Sequence, residues 1–148
     1  MKKFLSGIFG KPGDRDCTLK PQEFFNEFVA ALKSHDMEKA QQLIAQNMRL
    51  VNSKNKDGMS VLAVSAAAGN REFVEMLLKA GAYIDSQDYF GLTALMWAVT
   101  NGHKEVVECL LDAGADIGIY NKFDGTVMTI AEAAGNKDIE DLLKKRSG

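Results

Sequence analysis

The side chains best suited to chemistry are two histidines, two cysteines and two pairs of glutamates. A histidine acting as base or metal ligand needs convergent polar partners, and neither His35 nor His103 has one at any motif spacing. Cys17 and Cys109 lie far apart and fit no zinc pattern, so reduced thiols are expected. Cys109 falls on the apolar face of a helical stretch and is read as inert packing. Glu72/Glu75 and Glu105/Glu108 stand three apart, as an acid–base or metal pair would, but the second pair repeats the first 33 residues on. A repeating acidic pair is the solvated face of a repeating helix. No glycine pattern cradles a phosphate after a strand. The sequence therefore predicts no catalytic residue, no metal and no cofactor.

Such residues would have to be held by the chain as a whole. Its 148 residues suffice for one domain with a core, and 46% hydrophobic with 26% charged residues is a globular composition. Residues 1–56 carry ten Lys/Arg against six Asp/Glu, and residues 57–148 carry eight against fourteen. A nucleic-acid-binding array carries a basic stripe, and the later part of this chain is the opposite, so no nucleic acid is expected. No apolar run reaches membrane-spanning length. The start, Met1 to Leu5, is broken at once by Ser6, Gly7, Gly10, Lys11 and Pro12, which predicts no export signal and a cytoplasmic protein.

Three segments are self-similar at a spacing of 33. Ser60-Val61-Leu62 to Ala68-Gly69-Asn70 matches Thr93-Ala94-Leu95 to Asn101-Gly102-His103 and Thr126-Val127-Met128 to Ala134-Gly135-Asn136. The match continues through Phe73, Val106 and Ile139, then Leu77, Leu110 and Leu143. Each unit reads as two helices. Ser or Thr caps the first, Gly69, Gly102 and Gly135 close it, and a second helix follows with apolar spacing such as Phe73, Val74, Leu77 and Leu78. Asp57-Gly58 recurs as Asp124-Gly125, one residue nearer its Thr, which predicts a shortened turn there. Trp97 aligns with Val64 and Ile130 and is read as core. A more degenerate unit precedes these three, with Pro21 opening a helix through Phe24, Phe25, Phe28, Val29 and Leu32. His35-Asp36 takes its Gly-Asn place.

These units resemble the ankyrin repeat. The best copy runs Asp88, Gly91, Thr93, Leu95, Ala98, Gly102-His103, Val106-Val107, Leu110-Leu111, Gly114-Ala115-Asp116. The family proline is replaced by Val61, Ala94 and Val127, and the family histidine by Ala63, Met96 and Thr129. Restoring the pattern with Val61→Pro and Ala63→His is expected to stabilise the fold. The resemblance covers about residues 21–146 and implies an all-α ankyrin-repeat solenoid, helix-turn-helix units joined by β-hairpin-like loops. The units are placed at about 21–54, 55–87, 88–120 and 121–146, in a domain over 21–148. A segment over 1–20, expected to be flexible and to add little stability, precedes it. It implies that His103 serves local hydrogen bonding and capping.

Polar residues replace apolar ones at both ends. Glu140, Lys144 and Glu132 stand where inner units have Val74, Leu78 and Ala66, and Lys39 and Gln42 stand where they have Phe73 and Met76. A closed, monomeric array is therefore expected. The resemblance also implies a non-catalytic protein-interaction module that binds a protein partner through hairpin tips and first-helix ends lining a concave face. Carried over by position, the binding residues are Met59, Tyr89, Phe90, Leu92, Thr100, Asn101, Tyr120 and Phe123, with Lys56, Asp57, Ala67, Ala68, Gln87, Lys122, Ala133 and Ala134 around them. Aromatic groups at such places often dominate binding energy. Two other functions compete: a regulatory subunit or cryptic enzyme, which needs a pocket with convergent polar groups, and a membrane-recruited adaptor using Phe4, Leu5, Ile8 and Phe9.

Overall fold

The computed structural model describes residues 19–147. Cys17, the apolar residues Phe4, Leu5, Ile8 and Phe9, and all of the expected leading segment except Leu19 and Lys20 lie outside the described residues. Among the described residues eight α-helices follow one another in pairs: α1 (Pro21–Lys33) with α2 (Met37–Gln46), α3 (Val61–Ala68) with α4 (Arg71–Lys79), α5 (Ala94–Thr100) with α6 (Lys104–Asp112), and α7 (Val127–Ala134) with α8 (Lys137–Ser147). A short 3-10 turn over Met48–Asn52 links the first pair to the next. First helices pack on first helices, α1 on α3 on α5 on α7, and α4, α6 and α8 pack in the same order behind them. This is the all-α solenoid expected from the sequence.

Local rules explain where the helices start and stop. The hydroxyls of Ser60, Thr93 and Thr126 accept the amides of Ala63, Met96 and Thr129 at 3.1, 3.2 and 3.4 Å, satisfying donors that a helix start leaves free. The residues closing the first helices have φ of 77°, 73° and 71° at Gly69, Gly102 and Gly135, and His35 holds the corresponding place with φ 58°. His35 and His103 are thus not equivalent. The first replaces a cap glycine, and Asp36, the residue after it, caps α2 by accepting the Lys39 amide at 2.9 Å.

The hairpins keep the 33-residue period throughout, which corrects the expected shortened turn. Asn55, Asp88 and Asn121 each fold a side-chain oxygen onto two amides: Asp57 and Met59, Phe90 and Leu92, Phe123 and Gly125, all at 2.8–3.0 Å. The left-handed residue three places on is Gly58 (φ 80°), Gly91 (φ 79°) and then Asp124 (φ 60°), not Gly125. The two Asp-Gly pairs look alike in sequence but occupy different turn positions. Asp124→Gly is expected to stabilise the fold by about 0.5–1 kcal/mol, because a Cβ in this conformation is strained. A rise in the urea midpoint at unchanged slope checks it; a fall would mean that the aspartate side chain is worth more than the strain.

Successive hairpins are joined edge to edge. The Tyr89 amide donates to the Asp57 carbonyl at 3.1 Å and the Lys122 amide to the Phe90 carbonyl at 3.0 Å, again 33 residues apart. The approach is close enough that a Cβ on Gly58 would lie 2.6 Å from the Tyr89 ring, and one on Gly91 would lie 2.9 Å from the Lys122 nitrogen.

The core runs the length of the stack. Phe24, Phe28, Phe73, Leu77, Leu110, Ile139 and Leu143 are all buried. Glu132, Lys144 and Gln42 are exposed, as the end-face pattern predicts. Glu140 differs: it is 5% exposed, with Lys137 and Lys144 ammonium groups 3.4 and 3.8 Å from its carboxylate. The polar residue there is covered and paired rather than solvated.

The structure also reverses the expected gain from Val61→Pro. The Val61 amide donates to the Ser53 carbonyl at 3.3 Å, a bond proline removes, whereas the Val127 amide has no acceptor among the described residues. Ala63 is 2% exposed, so an imidazole there overpacks the first turn. Val61→Pro is expected to cost about 1–3 kcal/mol, and Val127→Pro, on a preceding residue already extended (φ −102°, ψ 174°), to add about 0.5–1 kcal/mol. Thermal melts of the two variants should move in opposite directions.

Candidate interaction surface

The hairpin tips present large apolar groups to solvent. Tyr89, Phe90, Tyr120 and Phe123 are 62%, 52%, 64% and 73% exposed. They are nonetheless held in place. The Asp88 and Asn121 turns fix the backbone beneath them, and Tyr89 lies against Gly58 of the hairpin before. Phe90 and Phe123, on neighbouring hairpins, stack with ring centroids 6.4 Å apart and planes 19° apart. Gln87 braces the same region through its Nε2, which donates to the carbonyls of Gly91 and Tyr120 at 2.8 and 3.1 Å. Its side chain is therefore engaged in bracing the hairpins.

Met59 and Leu92 are half-buried at the bases of their hairpins and pack against the core. Thr100 and Asn101 are exposed at the other end of α5. Thr100 turns its hydroxyl back to the Met96 carbonyl at 2.8 Å, and Asn101 donates to the Ala67 carbonyl of the preceding pair at 3.1 Å. The structure brings Tyr89, Phe90, Tyr120 and Phe123 together on adjacent hairpins and places Thr100 and Asn101 apart from them, at the helix-end seam.

His103 belongs to that seam. Its side chain makes no cap bond to its own helix; its Nε2 lies 3.0 Å from the Ala67 carbonyl and its ring rests against Gly69. This corrects the capping role: the imidazole joins one helix pair to the next.

Trp97 is the residue that sequence reasoning misplaced. It is half-buried, not core, and its indole N–H donates to the second carboxylate oxygen of Asp88 at 2.9 Å. Asp88 is 7% exposed and so binds the hairpin amides with one oxygen and the α5 tryptophan with the other. The sequence signal was present in the repeat itself: Asp88 replaces Asn55 and Asn121 in the same unit where Trp97 replaces Val64 and Ile130. Tyr83, in the connector after α4, is 69% exposed and was not among the expected binding residues.

Burial pushes the Cys109 thiol up, with Glu75 adding to the effect, which disfavours the reactive thiolate. The hydrogen bond that the exposed Arg71 guanidinium donates to Glu75 at 2.9 Å, and the attraction that accompanies it, hold Arg71 above its usual value. Among the described residues no group of three His, Cys, Asp or Glu side chains is placed to hold a metal ion, and no helix is long and apolar enough to cross a membrane.

Residues 28–121 match the family described as ankyrin repeats (3 copies). No curated protein matches the chain.

Proposed function

Because the chain belongs to the ankyrin-repeat family, whose members generally mediate protein–protein interaction and are typically non-catalytic, we propose that it binds a partner protein through the aromatic hairpin tips of its last two hairpins. The observation that carries this reading is the exposure of Tyr89, Phe90, Tyr120 and Phe123 on turns already locked by hydrogen bonds. Groups held in their bound geometry lose less entropy on association, so they anchor a complex more strongly than mobile ones. Met59, Leu92 and Trp97 are half-buried and pack against the core. Thr100 and Asn101, apart from these aromatics at the helix-end seam, are a separate contact in this reading. The reading includes a monomeric, cytoplasmic adaptor.

The test is calorimetric titration with the protein that affinity capture returns. Tyr89→Ala combined with Phe90→Ala is expected to weaken binding by at least about 2 kcal/mol, roughly 30-fold, with little change in circular dichroism. Glu105→Ala with Glu108→Ala, on the second-helix face, is expected to change affinity far less. If the glutamate pair matters and the aromatic pair does not, partners bind the second-helix side and the reading fails.

A further inference from the structure

Between α1 and α3 lies a cleft of about 210 Å³, lined by Val29 and Leu32 of α1, Val64 and Ala68 of α3, with Lys33, His35 and Asn70 at its polar rim. Its floor is apolar, and its volume suits one or two large apolar side chains.

The chain has such side chains close by. Leu19 packs partly buried against the core just before α1, so the eighteen residues preceding it in the sequence are tethered at the start of the helix that forms one wall of the cleft. Within them Phe4, Leu5, Ile8 and Phe9 share the spacing of one helical face. Residues 10–18 span up to roughly 30 Å when extended, and α1 is only about 20 Å long, so residues 4–9 reach the far half of α1 with length to spare.

We propose that the apolar face of residues 4–9 seats in the α1–α3 cleft of its own chain. Removal of one or two large side chains from water supplies the drive. Tethering supplies the effective concentration, which for a short linker is in the millimolar range, so even a weak contact is populated. The contact covers Ala68 and the neighbouring end of the first-helix face. It stands on the cleft and the tether alone and does not depend on the partner-binding reading.

The experiment follows the methyl resonances of Val29, Leu32 and Val64 in the full-length protein. Phe4→Glu with Ile8→Glu is expected to shift these three sets while leaving Val106 and Leu110 in place. Phe4→Leu with Ile8→Leu, which keeps the apolar face, is expected to leave the resonances close to wild type. Val64→Glu is a second route, expected to shift the resonances of Phe4 and Ile8 themselves. Unchanged cleft methyls in the glutamate variant would overturn the proposal. So would cleft shifts that depend on protein concentration, since these assign the occupant to a second copy.

Discussion

Phe28→Ala is expected to remove about 3–5 kcal/mol of stability, the largest single loss among the substitutions considered. Phe28 is fully buried in α1. Its ring stacks on Phe24 at 5.9 Å and meets Phe73 of α4 edge-on at 5.7 Å with planes 78° apart. The Phe73 contact reaches from the first helix pair into the second, so alanine opens a cavity at a seam rather than within one unit. In a stack whose units contact only their neighbours, that seam couples the first pair to the rest. Urea unfolding followed by circular dichroism reads the effect. Phe28→Leu, which keeps most of the volume, should lose about 1–2 kcal/mol. A loss under about 1 kcal/mol for the alanine variant would show that the first pair folds with little help from Phe73.

Asp88→Ala is expected to cost about 2–4 kcal/mol, through hydrogen bonds rather than volume. The carboxylate accepts from the Phe90 amide, the Leu92 amide and the Trp97 indole, each at 2.9 Å. Removing a nearly buried acceptor leaves donors in a site that water enters poorly, and the cost of unmet donors exceeds the worth of the bonds themselves. Asp88→Asn separates the two duties. Asn55 and Asn121 show that an asparagine oxygen holds the turn equally well. Its amide nitrogen, however, would meet the indole N–H donor to donor. The asparagine variant should therefore cost only about 1 kcal/mol while releasing Trp97. Trp97 is the only tryptophan of the chain, so its emission and accessibility to a quencher report that release directly. Equal losses in both variants would show that the indole bond, not the turn, is what Asp88 supplies.

The repeat was legible because its punctuation obeys local rules. Ser60, Thr93 and Thr126 cap helices by chemistry that needs only neighbouring residues, and Gly69, Gly102 and Gly135 close them by a backbone angle that glycine adopts freely. Exposure of Tyr89 and Phe90 was legible for a related reason: scaffold positions repeat, and these do not. What failed was matching by residue type where the constraint is geometric. The turn requires a left-handed residue, a condition Asp124 meets, so the Asp-Gly pair at 124–125 pointed to the wrong register. Trp97 failed differently. Alignment with Val64 and Ile130 implies a shared environment, but those residues are themselves only half-buried. His103 bonds across to Ala67, a contact between units that no single unit's pattern contains.

The Asp124 side chain has a meaning for how such a protein grows. Gly58 and Gly91 leave the space beside them empty, and the following hairpin fills it to within 2.6–2.9 Å of where a Cβ would stand. At Asp124 that carbon is present. A tandem duplication placing another hairpin against this one would collide with it, however well its helices stacked. Lengthening the array in evolution or in the laboratory thus begins with a single codon, and any extended protein should carry glycine at this position before it carries a further unit.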